Sequence, residues 1–389
     1  MLRRMLPAFV LGFVGFATSF GAHIVAVNLP VYAEQVGIGT AMIGLLIAAY
    51  DFAEILAKPA FGVLADRQGM KKTMLAGIVI FTLSSVFYPF VSPRLLIFVR
   101  FLQGLGAAGL SAVSLALIGA YYSDRRGSAY GVYNAIKGSG YVLSPIIGGL
   151  IVSRSNFSGL FLATAAIGVF AFLISLPLPS VQAEPVGGTL HDDDDFSIKS
   201  LGSVFREPLL AKWYAIIVVN MFFVSILFGF LPVYIHSLGY KAVHSGLILS
   251  VVALSYLLIQ PVAGKWADII DGELTVRTGL LLSAFGIMIA PFLRGPALLI
   301  VAALSWAGVG IVWTNSDVVV SRLARAGHLG ATMGAAGSFK EFGDMVGPIL
   351  IGALSQAFGL RAGFVAGGVA GLLLFALIFR SPKSGIPRA

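Results

Sequence analysis

The sequence predicts an all-α membrane protein of twelve transmembrane helices, arranged as two six-helix bundles related by a pseudo-twofold axis. Three observations predict it. Apolar stretches long enough to span a bilayer recur along the whole chain, Lys and Arg gather on alternate connections, and the second half repeats residues of the first at a fixed spacing. Of 389 residues, 58% are hydrophobic and 11% charged, against about 45–50% and about 25% in soluble globular proteins. Too little polar surface remains to coat a soluble domain. A cytoplasmic enzyme, a secreted domain and a disordered chain are thereby excluded. The chain has no Cys, hence no disulfide, thiolate metal site or catalytic thiol. Its net charge of +9 calls for no nucleic-acid partner, because Lys and Arg collected on one side of a membrane account for it.

A bilayer-spanning helix needs roughly 20 mostly apolar residues. Such stretches fall at about 7–34, 40–64, 73–92, 94–121, 128–153, 158–178, 209–236, 242–266, 276–293, 296–320, 329–355 and 359–379. The start, Met1-Leu2-Arg3-Arg4 before an apolar run, imitates a signal peptide. That run continues to about Tyr32, too long for a signal core, so it reads as a retained first helix.

Orientation follows from the cations. With the N-terminus inside, 17 Lys and Arg lie on inside connections, among them Arg67, Lys71, Lys72, Arg125, Arg126 and Arg322. Only 5 lie outside: Arg94, Arg154, Lys241, Arg294 and Arg361. Lys58, Arg100, Lys137 and Lys340 remain within spans. This bias places both termini in the cytoplasm of a plasma, or bacterial inner, membrane. One long connection breaks the pattern, with Pro179, Pro185, Gly187-Gly188 and the acidic run Asp192–Asp195. It reads as a solvated cytoplasmic linker, 179–208, between an N-terminal bundle, 1–178, and a C-terminal bundle, 209–389.

The halves echo each other. Gly62-x-x-x-Asp66 matches Gly264-x-x-x-Asp268 at a shift of 202. At a shift of 203, Gly127, Gly131, Lys137, Gly140, Pro145 and Gly149 fall on Gly330, Gly334, Lys340, Gly343, Pro348 and Gly352. Duplicated helical halves are the architecture of secondary transporters, which hold substrate near the midplane between repeats.

The second span ends in Gly62-Val63-Leu64-Ala65-Asp66-Arg67-Gln68-Gly69-Met70-Lys71-Lys72. Gly62 permits close helix contact and Gly69 a tight turn; Asp66 can accept hydrogen bonds at a helix N-terminus, and Arg67 can pair with carboxylates. This run resembles the major facilitator superfamily signature G-x-L-A-D-R-x-G-R-K, with Met70 where Arg is usual. Arg100-Phe101-Leu102-Gln103-Gly104 is similar to that family's R-x-x-Q-G motif. Gly140-Tyr141-Val142-Leu143-Ser144-Pro145-Ile146-Ile147-Gly148-Gly149 resembles its antiporter motif, with Ser144 in place of one Gly. Gly343 to Gly347-Pro348 and Gly352 repeat part of it. The resemblance implies the major facilitator fold and the drug:proton antiporter group. It gives Gly62, Asp66, Arg67, Gly69, Lys71, Gly140, Pro145, Gly343 and Pro348 a gating role and ties Arg100 to proton coupling.

Charge inside a bilayer is expensive enough to mark function. Asp51, Glu54 and Lys58 share one helical face, and Glu54 can pair with Lys58. Lys340 and Asp344 are four apart and can pair; Glu341 and Asp344 share a face. The expectation is that one or two of Asp51, Glu54, Glu341 and Asp344 cycle a proton while Arg100, Lys137 or Lys340 compete for the ionised form. A static set of ion pairs is the alternative. Polar and aromatic residues near the midplane nominate a substrate pocket: His23, Asn28, Asn134, Tyr141, Asn220, Phe223, Trp306, Trp313, Asn315 and Asp317.

The sequence holds no G-x-S-x-G, no H-E-x-x-H and no G-x-x-x-x-G-K-[ST]. It therefore reads as no enzyme, with no metal or cofactor, driven by a proton gradient rather than ATP. The expected activity is export of small amphipathic organic compounds by a monomer in the lipid bilayer, with no nucleic acid involved. The cations Arg100, Lys137 and Lys340 leave a second reading, a carrier of an anionic solute or lipid headgroup. A non-transporting sensor on the same fold is a third.

Overall fold

Hydrocarbon offers no partner to a backbone N–H or C=O, so each apolar stretch must satisfy its own backbone, as an α-helix does. The computed structural model describes residues 2–35, 40–154, 157–181, 208–239, 242–270, 272–325 and 327–379, and among these there is no strand. The acidic run Asp192–Asp195 lies outside the described residues, as do the side chains of Asn28, Pro145 and Pro348.

Six helices come from the first half of the sequence: α1 Leu2–Gln35, α2 Thr40–Gln68, α3 Met70–Phe87, α4 Leu96–Tyr121, α5 Arg126–Arg154 and α6 Phe157–Ser175. The second half gives α7 Pro208–Ser225, which runs through a π-helical turn, Ile226–Phe230, into a short helix, Leu231–Ser237. Then come α8 Ala242–Ile269, α9 Gly272–Ile289, α10 Gly295–Leu323, α11 Leu329–Phe358 and α12 Leu360–Phe379. Six described segments are long and apolar enough to cross a membrane by length and composition alone, among them Leu96–Tyr121 and Gly295–Leu323. By contrast α2, α5 and α11 carry ionisable residues at mid-helix. Gly69 takes φ 102°, a left-handed turn that joins α2 to α3.

The chain forms two compact units. The first comprises Met1–Ser123, Val132–Phe205 and Ala324–Ser338; the second comprises Asp124–Gly131, Arg206–Leu323 and Phe339–Ala389. Each therefore takes in one short stretch from the other half of the sequence.

Within the first unit α3 crosses α4 where Gly77 meets Gly106 and Gly109, leaving no room for a Cβ. Phe20, Ile24, Leu96, Phe157 and Phe161 pack beside this crossing, and Tyr88 stacks on Phe161 at 4.4 Å. Within the second unit α9 crosses α10 where Gly279 meets Gly308, positions 202 residues beyond Gly77 and Gly106. The 3₁₀ turns Tyr88–Phe90 and Ala290–Phe292 are related by the same spacing. Large apolar side chains stay exposed on both units, Phe90 at 76% and Ile269 at 82%. Exposed apolar surface on this scale fits contact with lipid.

Candidate functional site

Burying a charge is tolerable only when it is paired and hydrogen-bonded, so the buried ionisable residues mark where the fold spends stability. In the first unit Lys58 and Glu54 form an ion pair of 3.1 Å along one turn of α2, and both are buried. The stem of Lys58 lies against Gly337, and its carbonyl against Gly334, at the start of α11. Asp51 is only half-buried.

Arg100 is 2% exposed and meets no carboxylate among the described residues. Its Nη1 donates to Gln103 Oε1 at 2.9 Å and its Nη2 to the Ala22 carbonyl at 3.3 Å; its guanidinium lies 4.3 Å from the Tyr50 ring centroid. The Tyr88 hydroxyl also donates to Gln103 Oε1, and Gln103 Nε2 donates to Ser85 Oγ. The guanidinium is thus held by an amide, a carbonyl and an aromatic face. Tyr50, Tyr88 and Ser85 were not nominated by the sequence; the only signal is that Tyr50 adjoins Asp51.

In the second unit Lys340 pairs with Asp317 of α10 rather than with Asp344 on its own helix. The Nζ–Oδ1 distance is 2.5 Å, with Asp317 wholly buried and Lys340 6% exposed. The reason is solvation: Asp344 is exposed, whereas Asp317 is buried and meets the ammonium across the helix contact. The same ammonium lies 4.9 Å from the Trp313 ring, one turn before Asp317. Tyr256 of α8 meets both Trp306 and Trp313 edge-on, at 5.6 and 6.1 Å. Gln260, one turn along α8 from Tyr256, is wholly buried.

The other pocket candidates are divided between the two units. His23 Nδ1–H donates to the Ser19 carbonyl, and its ring stands edge-on to Tyr141 at 4.3 Å in the first unit. Asn134 is buried there too. In the second unit Asn220 Nδ2 donates to the Val309 carbonyl and Asn315 Nδ2 to the Ile311 carbonyl, while Phe223 packs on Gly371. Lys137 and Glu341 are half-buried.

The gating candidates divide clearly. Asp66 lies two residues past the apolar stretch of α2. Its carboxylate accepts the Gly330 N–H at 2.7 Å and the Ala331 N–H at 2.8 Å, capping α11. A Cβ on Gly62 would collide with the Gly330 carbonyl. Burial outweighs those two donors and pushes the Asp66 carboxyl up to about 6. In the second unit Asp268 accepts the N–H groups of Gly127 and Ser128 and the Ser128 hydroxyl, at 2.8–2.9 Å, capping α5. Arg322 stands 3.7 Å from it. A Cβ on Gly264 would collide with the Gly127 carbonyl. Arg67 is exposed, while Lys71 donates to the carbonyls of Leu176 and Leu178. Gly140 lies against Ser19 and Phe20, and Gly343 against Met221. Sequence reasoning passed over Glu273, which is buried and bonded to Lys212 at 3.2 Å and Arg277 at 2.6 Å.

Paired charge held inside apolar helices, on a duplicated sequence, is the pattern of a membrane transporter. The sequence matches the Major Facilitator Superfamily over residues 11–255 and 216–388, and the chain belongs to that family. It is similar to multidrug resistance protein MdtG of Citrobacter koseri, 26% identical over 379 residues covering 94% of this chain and 91% of that protein. It is similar also to multi-drug resistance efflux pump PmrA of Streptococcus pneumoniae, 24% identical over 91% of this chain and 90% of that protein. Two crystal structures share the fold. The human organic anion transporter MFSD10 gives a TM-score of 0.76 at 19% identity, covering 97% of this chain and 99% of that one. The Escherichia coli fucose:proton symporter FucP gives 0.79 at 14% identity, covering 98% and 100%. The chain is accordingly an integral membrane transporter of a small-molecule substrate.

Proposed function

We propose that the chain is a proton-coupled exporter of small amphipathic organic compounds, working by alternating access in a bacterial inner membrane with both termini cytoplasmic. One observation carries this reading. A wholly buried carboxylate, Asp317, stands beside an aromatic group made of Trp306, Trp313 and Tyr256. Aromatic faces suit flat apolar bodies and cations alike, and a buried acid can exchange charge with a proton. The names of MdtG and PmrA support export, and the lack of a phosphate-binding glycine loop supports an ion gradient as the energy source.

The test is transport by the purified chain in liposomes with an acid interior, with ethidium as the amphipathic probe. Ethidium is expected to accumulate inside, and a protonophore to abolish that accumulation. Equal accumulation with and without the pH gradient would overturn the reading. One observation favours a carrier of anionic solutes: Arg100 is a buried cation that meets no carboxylate among the described residues. An anionic dye accumulated in place of ethidium, and lost in R100Q, would establish that alternative.

A further inference from the structure

The two buried ion pairs are built differently. Glu54 and Lys58 pair within one helix, α2, one turn apart. Asp317 and Lys340 join α10 to α11, and there the ammonium has a second seat. Trp313 precedes Asp317 by one turn on the same helix, so carboxylate and indole face one ammonium together. We propose that Asp317 carries the coupled proton in the second unit, with Lys340 balancing its charge when it is ionised and Trp313 seating the ammonium when it is protonated. This inference rests on the proton-coupled reading above.

The step involves one proton. Ionised Asp317 and the Lys340 ammonium sum to zero charge. A hydronium ion gives its proton to the carboxylate: one O–H bond breaks on the hydronium, one forms on the carboxylate, and a water molecule is left. The pair then carries one positive charge, and the ion pair between α10 and α11 is gone. An ammonium left beside apolar side chains alone would make this state prohibitive, whereas the Trp313 face lowers its cost. Protonation therefore changes what binds two helices together, as coupling to a conformational change requires.

Among the described residues, Lys340 from α11 and Tyr256 from α8 face Asp317, while further along α10 Arg322 meets Asp268 of α8 and the Ser321 carbonyl accepts from Arg126 of α5. From α7, Asn220 meets α10 at the Val309 carbonyl, and from α9, Ser283 meets it at the Ser305 carbonyl. The charges of α7 and α9, Lys212, Glu273 and Arg277, bind one another. On α10 beside Asp317 in sequence, Thr314 Oγ1 and Ser316 Oγ are buried without a hydrogen-bond partner among the described residues. Buried polar groups of this kind normally hold water, which can deliver the proton.

Two measurements on the full chain in liposomes test the proposal. The first is an infrared difference spectrum on stepping the pH, with no transported compound present. The wild type is expected to show a carboxylic C=O band that D317N lacks; a band retained in D317N, or absent from the wild type, overturns the proposal. The second is ethidium accumulation driven by an acid interior. D317N is expected to lose at least about tenfold, since an amide cannot replace a proton-exchanging acid. The double variant D317N/K340M, which leaves no lone buried charge, is expected to stay equally uncoupled. A static ion pair predicts that the double variant regains wild-type accumulation, and that result would overturn the proposal. If the wild type shows no gradient-driven uptake, the proton-coupled reading fails, while the infrared band still decides whether Asp317 takes up the proton.

Discussion

In the first unit the buried ion pair runs along one helix, Glu54 with Lys58 on α2; in the second it joins two helices, Asp317 on α10 with Lys340 on α11. The repeat shows how this came about. At the spacing of 202, the positions of Glu54 and Lys58 are occupied by Tyr256 and Gln260, and the position of Asp317 by Leu115. Lys340 has Lys137 as its mate at 203, so both halves keep the lysine while only the second places an acid at the facing position of α10. The helical frame tolerates this exchange because the glycine crossings, Gly77 with Gly106 and Gly279 with Gly308, are the same in both units. Packing is duplicated and charge is not. The asymmetry separates a pair within one helix from a pair that joins two.

The largest expected effect separates these two pairs by stability. K340M removes the Lys340 charge that faces buried Asp317 and is expected to cost about 3–5 kcal/mol, most of it recovered in D317N/K340M. Thermal unfolding in detergent measures both. Next come the glycines beneath the caps. G62V and G264V each drive a side chain into a backbone carbonyl and are expected to cost about 1–3 kcal/mol by the same measurement.

A smaller effect distinguishes the caps. Asp268 has three donors and Arg322 nearby, against two donors for Asp66. Losing a cap costs about 0.5–2 kcal/mol, so D268A is expected at the upper end and D66A at the lower. Equal losses would remove the distinction between the two caps.

The smallest effect is a pH dependence. Burial raises the Asp66 carboxyl from 3.8 to about 6, so between those values the folded state binds more protons at this site than the unfolded state does. Its contribution to stability therefore falls as pH rises through that window. D66N is expected to flatten this part of the stability profile, and an unchanged slope would assign it to other groups.

What the sequence revealed follows from range along the chain. Apolar stretches and glycine spacing are local, so the helices and the close contacts at Gly62 and Gly264 could be read directly. Asp66 and Asp268 could be singled out because a repeat doubles a weak signal. Partners across helices could not. Periodicity offers Lys340 only neighbours on its own helix, which points to Asp344; the actual partner, Asp317, is 23 residues back, on another helix. Nor does anything in the motif around Arg100 show that Tyr50 will lie against its guanidinium. Glu273 was hidden among ordinary charges at a helix start, and the π-helical turn at Ile226–Phe230 has no signature in periodicity.

The most direct test sets E54Q beside D317N in the same liposomes, scoring ethidium accumulation driven by an acid interior per molecule of folded protein. The account predicts that D317N loses at least about tenfold more of this drive than E54Q. Equal losses, or a greater loss in E54Q, would contradict it.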